Sequence, residues 1–99
     1  MSRVVWTAQA KADLREIREY IARDSRQSAR RMIERIRAGA ASCRRLPEAT
    51  AIVPEFYDSN IRETFVGNYR VIFRLTPKTI TVLTVIHAAR RLHLPSDLS

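Results

Sequence analysis

The sequence predicts an α+β fold: an N-terminal strand, an α-helical hairpin, and then a mostly antiparallel sheet of three to four strands. Three observations predict it. Two amphipathic patterns at helical spacing follow one another between residues 8 and 46, parted only by a short polar break. Residues 61–89 then alternate with period two between turn signals. Helices followed by a run of strands is the order of a helical layer laid on one face of a sheet. With 99 residues, the chain can build one core but not two, so residues 1–99 are read as one domain.

The elements follow in order. Residues 3–7, RVVWT, read as a first strand, and Thr7 stands where the N-cap of a helix belongs. Leu14, Ile17 and Ile21 form the apolar stripe of that first helix, with Ala10 and Tyr20 beside it, while Lys11, Arg15, Glu16, Arg18 and Glu19 occupy the other side. Ser25 or Ser28 in the polar break can cap the second helix, which is expected to run to about Leu46 and to be ended by Pro47. Ala29, Met32, Ile33, Ile36, Ala40 and Cys43 give it a buried face; Arg30, Arg31, Arg35, Arg37, Arg44 and Arg45 crowd the outer one.

Ala51–Val53 is expected as a brief strand that Pro54 confines to an edge or a bulge. Residues 61–66 and 69–76 read as a β-hairpin around Gly67-Asn68, and residues 79–89 as a further strand after Pro77-Lys78. In the hairpin, Val71, Phe73 and Leu75 should face the helices, leaving Arg70 and Arg74 on the opposite, open face. In the last strand, Ile80, Val82 and Ile86 should share one face, with Leu83 and Val85 on the other. Apolar residues on both faces argue that this strand is interior to the sheet.

Composition narrows the function. The formal net charge is +8, and only Lys11 and Lys78 among 18 basic residues are lysines. Arginine suits bidentate capture of carboxylate or phosphate, so a polyanionic partner is expected, either nucleic acid or an acidic protein segment. Cys43 is the only cysteine, which excludes an internal disulfide and reads as a small core residue. No Cys/His cluster has zinc-ligand spacing, no Gly-rich phosphate loop or nucleophile elbow is present, and neither metal nor cofactor is expected. The N-terminus lacks the apolar run of a signal peptide and no stretch approaches membrane-spanning length. A cytoplasmic location is therefore expected.

Residues 61–74, IRETFVGNYRVIFR, and 85–91, VIHAARR, together with the Trp6…Leu14…Ile17…Ile21 pattern of the first helix, resemble the ParE/RelE superfamily of bacterial toxins. The His-x-x-Arg ending places the resemblance closer to the ParE branch. Ala88 stands where many relatives have glycine. The resemblance implies the toxin of a type II toxin–antitoxin pair, neutralised by an antitoxin with a ribbon-helix-helix-like N-terminus and an acidic C-terminal half. For the ParE branch the implied target is DNA gyrase, inhibited by binding. For the RelE branch the implied activity is cleavage of messenger RNA on the ribosome.

The residues bear on that choice. Cleavage through a 2′-hydroxyl needs a base, an acid and cations for the phosphorane. Arg62, Arg70, His87 and Arg90 would be the nuclease set, but His87 also reads as a structural residue closing its strand. The lysines and C-terminal tyrosine on which the RelE branch relies have no counterparts, and Glu48, Glu55, Tyr57 and His93 are weak substitutes. No catalytic residue is therefore assigned. Arg62, Arg70, Arg74 and Arg90 are expected to engage the antitoxin, unless Glu55 and Glu63 pair with them internally. Arg91, Leu92, His93 and Leu94 are expected to contact the target. A relative that poisons nothing, and only binds protein or nucleic acid, remains a third reading.

Overall fold

The computed structural model describes residues 3–45, 47 and 50–89. β1 (Arg3–Trp6) enters α1 (Ala8–Ala22), α2 (Arg26–Ser42) returns antiparallel, and β2 (Ala51–Ile52), β3 (Ile61–Val66), β4 (Tyr69–Leu75) and β5 (Thr79–His87) follow. The spatial order of the sheet is β1-β5-β4-β3-β2. β1 runs parallel to β5 and every other pairing is antiparallel. The first strand thus adds to the four antiparallel ones and leaves β5 interior, as its two apolar faces imply.

Local chemistry sets the boundaries. Thr7 is extended, and its Oγ1 accepts the N–H of Ala10 at 3.1 Å while donating to the Leu83 carbonyl at 3.0 Å. One hydroxyl therefore caps α1 and ties it to β5. Ser25, the first of the two candidate caps, starts α2 by accepting the N–H of Ser28. α2 stops before the expected Leu46, which lies outside the described residues. Its last turn tightens as the N–H groups of Cys43, Arg44 and Arg45 donate to carbonyls three residues back. Gly67 supplies the left-handed conformation (φ 57°) on which the β3–β4 turn depends.

The main core lies between the helices and one sheet face. Ala10, Leu14, Ile17, Ile36 and Ala40 pack on Val66, Val71, Val82 and Val85, and Phe73 and Ile80 extend this layer to Cys43. Tyr20, expected beside the stripe of α1, is exposed instead. Gly39 lets α2 approach β3: a Cβ there would lie 2.5 Å from Val66 Cγ2.

The expected faces of β5 need correcting. Ile80, Val82 and Val85 serve the helical side, whereas Leu83 and Ile86 pack on the opposite side with Ile61 and Ile72. The cause is a bulge: Ile72 pairs with Thr84 but Phe73 pairs with Val82, so β5 carries an extra residue and the alternation changes phase. Nor is that second face bare. The segment after β2 folds across it, placing Val53 and Phe56 on Ile61, Ile72 and Leu83.

Candidate functional site

Arg70 organises this second face. β4 carries it opposite Phe65 of β3 and Ile86 of β5, beside the Glu63–Ile72 pair. Its Nε and Nη2 donate to Glu63 Oε2 at 3.1 and 2.5 Å, while Nη1 and Nη2 donate to Glu55 Oε2 and Oε1 at 2.9 and 3.0 Å. Arg70 and Glu63 are each 7% exposed; the Glu55 side chain, on the covering loop, keeps 35%. The guanidinium is thus shared between a buried strand carboxylate and a loop carboxylate at the surface. Hydrogen bonds from Arg70 hold the Glu55 carboxyl below its usual range, and the pair with Glu55 first, then Glu63, raises Arg70. Arg70 therefore does not stand open to solvent as expected. Glu55 and Glu63 do provide the internal partners, because one cation between two acids is the arrangement that allows this face to be covered.

The remaining expected site residues do not converge on Arg70. The Arg62 Nε and Nη1 donate to the carbonyls of Ser59 and Thr50 at 2.6 and 2.7 Å, bracing the chain on either side of the covering loop. Arg74 is half-buried on β4 opposite Ile61. His87 closes β5 at the surface, its Nδ1 accepting the N–H of Ala89 at 3.1 Å, with Tyr69 edge-on at 5.6 Å between ring centroids. Tyr57 is fully exposed on the loop. Arg90, Arg91, Leu92, His93 and Leu94, like Glu48, lie outside the described residues.

Two buried polar residues, Asp13 and its partner Thr84, escaped the sequence reading. Asp13, 9% exposed, accepts from Thr84 Oγ1 and from the Val85 N–H (3.0 Å) through Oδ2, and from Gln9 Nε2 (2.8 Å) through Oδ1. It clamps α1 to β5 beside the bulge, accepting hydrogen bonds from a buried hydroxyl and a strand N–H. Its place in the Ala10–Leu14–Ile17 stripe was the available signal. Beside it opens a cleft of about 710 Å³, whose walls include Glu16, Glu19, Tyr20, Tyr69 and His87. On the other flank of α1 a smaller cleft of about 230 Å³ is lined by Trp6, Leu14 and Ile33 among Lys11, Arg15, Arg18 and Arg37.

Residues 4–92 match the family described as the ParE toxin of type II toxin–antitoxin systems. The chain belongs to the ParE toxin family. Within that family's match fall both Arg70 pairs, the Asp13 clamp and His87. The chain is 34% identical over 94 residues to Toxin RelE2 of Caulobacter vibrioides, covering 91% of this chain and 99% of that one. Its fold matches a solved chain of the chromosomal ParDE toxin–antitoxin system from P. aeruginosa, with a TM-score of 0.73 and 21% identity. That match covers 88% of this ParE chain and 96% of the other. Among the described residues, no helix is long and apolar enough to cross a membrane.

Proposed function

We propose that this ParE toxin inhibits growth by binding DNA gyrase, and that a cognate ParD-like antitoxin neutralises it. The observation that carries the reading is the state of the Arg70 face. A nuclease of this fold would hold RNA there, with a base near the phosphate. Here both carboxylates beside Arg70 are occupied by its guanidinium, and Glu55 is held below the usual carboxylate range. A carboxylate so stabilised is a weak general base. Binding makes no such demand, and an arginine-rich surface suits an acidic antitoxin segment that folds onto it. Arg62, Arg74 and Arg90 are the proposed antitoxin contacts. Arg70 contributes by holding the face in shape, and Glu55 is the carboxylate an antitoxin acid would have to replace in order to reach it. Arg91, Leu92, His93 and Leu94 are the proposed gyrase contacts.

The name of the Caulobacter relative, RelE2, motivates a second reading, in which the target is messenger RNA on the ribosome. Expression in a bacterium separates the two. Gyrase inhibition predicts DNA damage and filamentation before translation falls. Prompt translation arrest with cleaved messages would reverse the order. Co-expression of the acidic protein from the adjacent reading frame should restore growth.

A further inference from the structure

We infer that the flank of the helical hairpin around the Trp6 cleft, and not the rest of its outer face, binds the phosphate backbone of duplex DNA. This goes beyond the gyrase reading and does not depend on it. The carrying observation is the segregation of charge across α1. Lys11, Arg15 and Arg18 recur at four- and three-residue steps along one flank and line the Trp6 cleft with Arg37 of α2. Arg30, seven residues before Arg37, is exposed as well. Among the described residues, no carboxylate lines this cleft. The other cleft takes Asp13, Glu16 and Glu19 with a single arginine, Arg23. Glu19 stands four residues after Arg15, and Glu34 lies between Arg30 and Arg37, so the signs mix at the rim of the patch; within the cleft itself the described lining is cationic and apolar.

The geometry fits phosphates. Residues 11, 15 and 18 span about 10 Å along α1 at 1.5 Å per residue, which is the reach of two to three successive phosphates on one strand. Duplex is favoured over single-stranded nucleic acid because single-strand binders need bare aromatic faces on which bases stack. Two aromatic rings on the helical side are already engaged by cations, Arg37 lying 6.0 Å from the Trp6 centroid and Arg23 5.8 Å from that of Tyr20, and Tyr69 packs on the core with His87 edge-on. What remains for a ligand is charge along a rigid face. That is the footprint of backbone contact without base readout.

The test uses the full chain, a labelled 20-base-pair duplex, and fluorescence anisotropy from 50 to 200 mM salt. The triple variant K11Q/R15Q/R18Q is compared with R31Q/R35Q/R45Q, which removes the same charge from exposed residues outside the Trp6 cleft. Each phosphate contact contributes about 0.9 to the slope of log affinity against log salt. The first triple should therefore flatten the slope by about 2.7 and weaken binding more than tenfold at low salt, and the second should do neither. Trp6, the only tryptophan in the chain, should change its emission on adding duplex to the parent but not to the first triple. Circular dichroism checks that both variants fold, and if the first does not, the single variants R15Q and R18Q carry the test. Equal losses from both triples, or an unchanged slope, would overturn the proposal. So would tighter binding of single-stranded RNA, or of a glutamate-rich peptide at matched charge, to this cleft.

Discussion

Replacing Arg70 with methionine probes the covered sheet face most sharply. The substitution keeps chain length and removes the guanidinium, leaving Glu63 7% exposed without the cation that satisfies it. Removing one partner of a buried ion pair costs about 3–5 kcal/mol. A domain of this size loses roughly 4–8 °C of melting temperature per kcal/mol, so R70M should melt on the order of 12–40 °C lower. Total stability is about 5–15 kcal/mol, which makes this roughly a fifth or more of it. The double variant R70M/E63L should recover much of the loss, because leucine would pack beside Ile61 and Ile72, and replacing both partners removes the stranded charge. Urea unfolding followed by circular dichroism reads both. If R70M lay within about 1 kcal/mol of the parent, or E63L brought no recovery, the buried-pair account of this face would be wrong.

The other expectations follow from the same contacts. Glu55→Gln should cost at most about 1 kcal/mol near neutral pH, because the Glu55 side chain is 35% exposed and solvent screens the pair. Its folded carboxyl is lowered, so its stabilisation is present above the unfolded value and is lost as pH falls through the folded one. Urea midpoints of parent and E55Q should thus converge on acidification below about pH 4. Asp13→Ala strands the Val85 N–H and the Thr84 hydroxyl and should cost about 2–4 kcal/mol; adding T84V should return part of it. Gly39→Ala offers up to about 1 kcal/mol of helix propensity. Overpacking against Val66 outweighs that gain, so thermal melts should show G39A destabilised in the parent and neutral or better in a V66A background.

Much of the fold was legible because its signals are local. The hairpin could be bounded from alternation plus Gly67-Asn68, and Thr7 announced α1 because capping is decided within three residues. The bulge in β5 was not legible. One extra residue changes phase without leaving a compositional mark, and so Val85 and Ile86 were assigned to each other's faces. The end of α2 was overestimated because Pro47 sets only an outer limit; the backbone tightened earlier. At the site, sequence supplied Glu55 and Glu63 as possible partners of Arg70 but not the burial that makes the pairing obligatory. That burial comes from the loop carrying Val53 and Phe56 across the sheet, a contact with no periodic pattern. Asp13 was missed for the complementary reason. A carboxylate within an apolar stripe looks like a solvated residue until its acceptors are matched to donors more than 70 residues away.

If this member of the ParE family acts by binding gyrase, as proposed, and not by cutting RNA, the supercoiling reaction must respond to it. Supercoiling of relaxed plasmid by purified gyrase, with and without the full chain, tests this most directly. Gyrase binding predicts loss of supercoiling or accumulation of cleaved plasmid, reversed by the cognate antitoxin. Undisturbed supercoiling, alongside cleavage of messages on purified ribosomes by the same preparation, would contradict it.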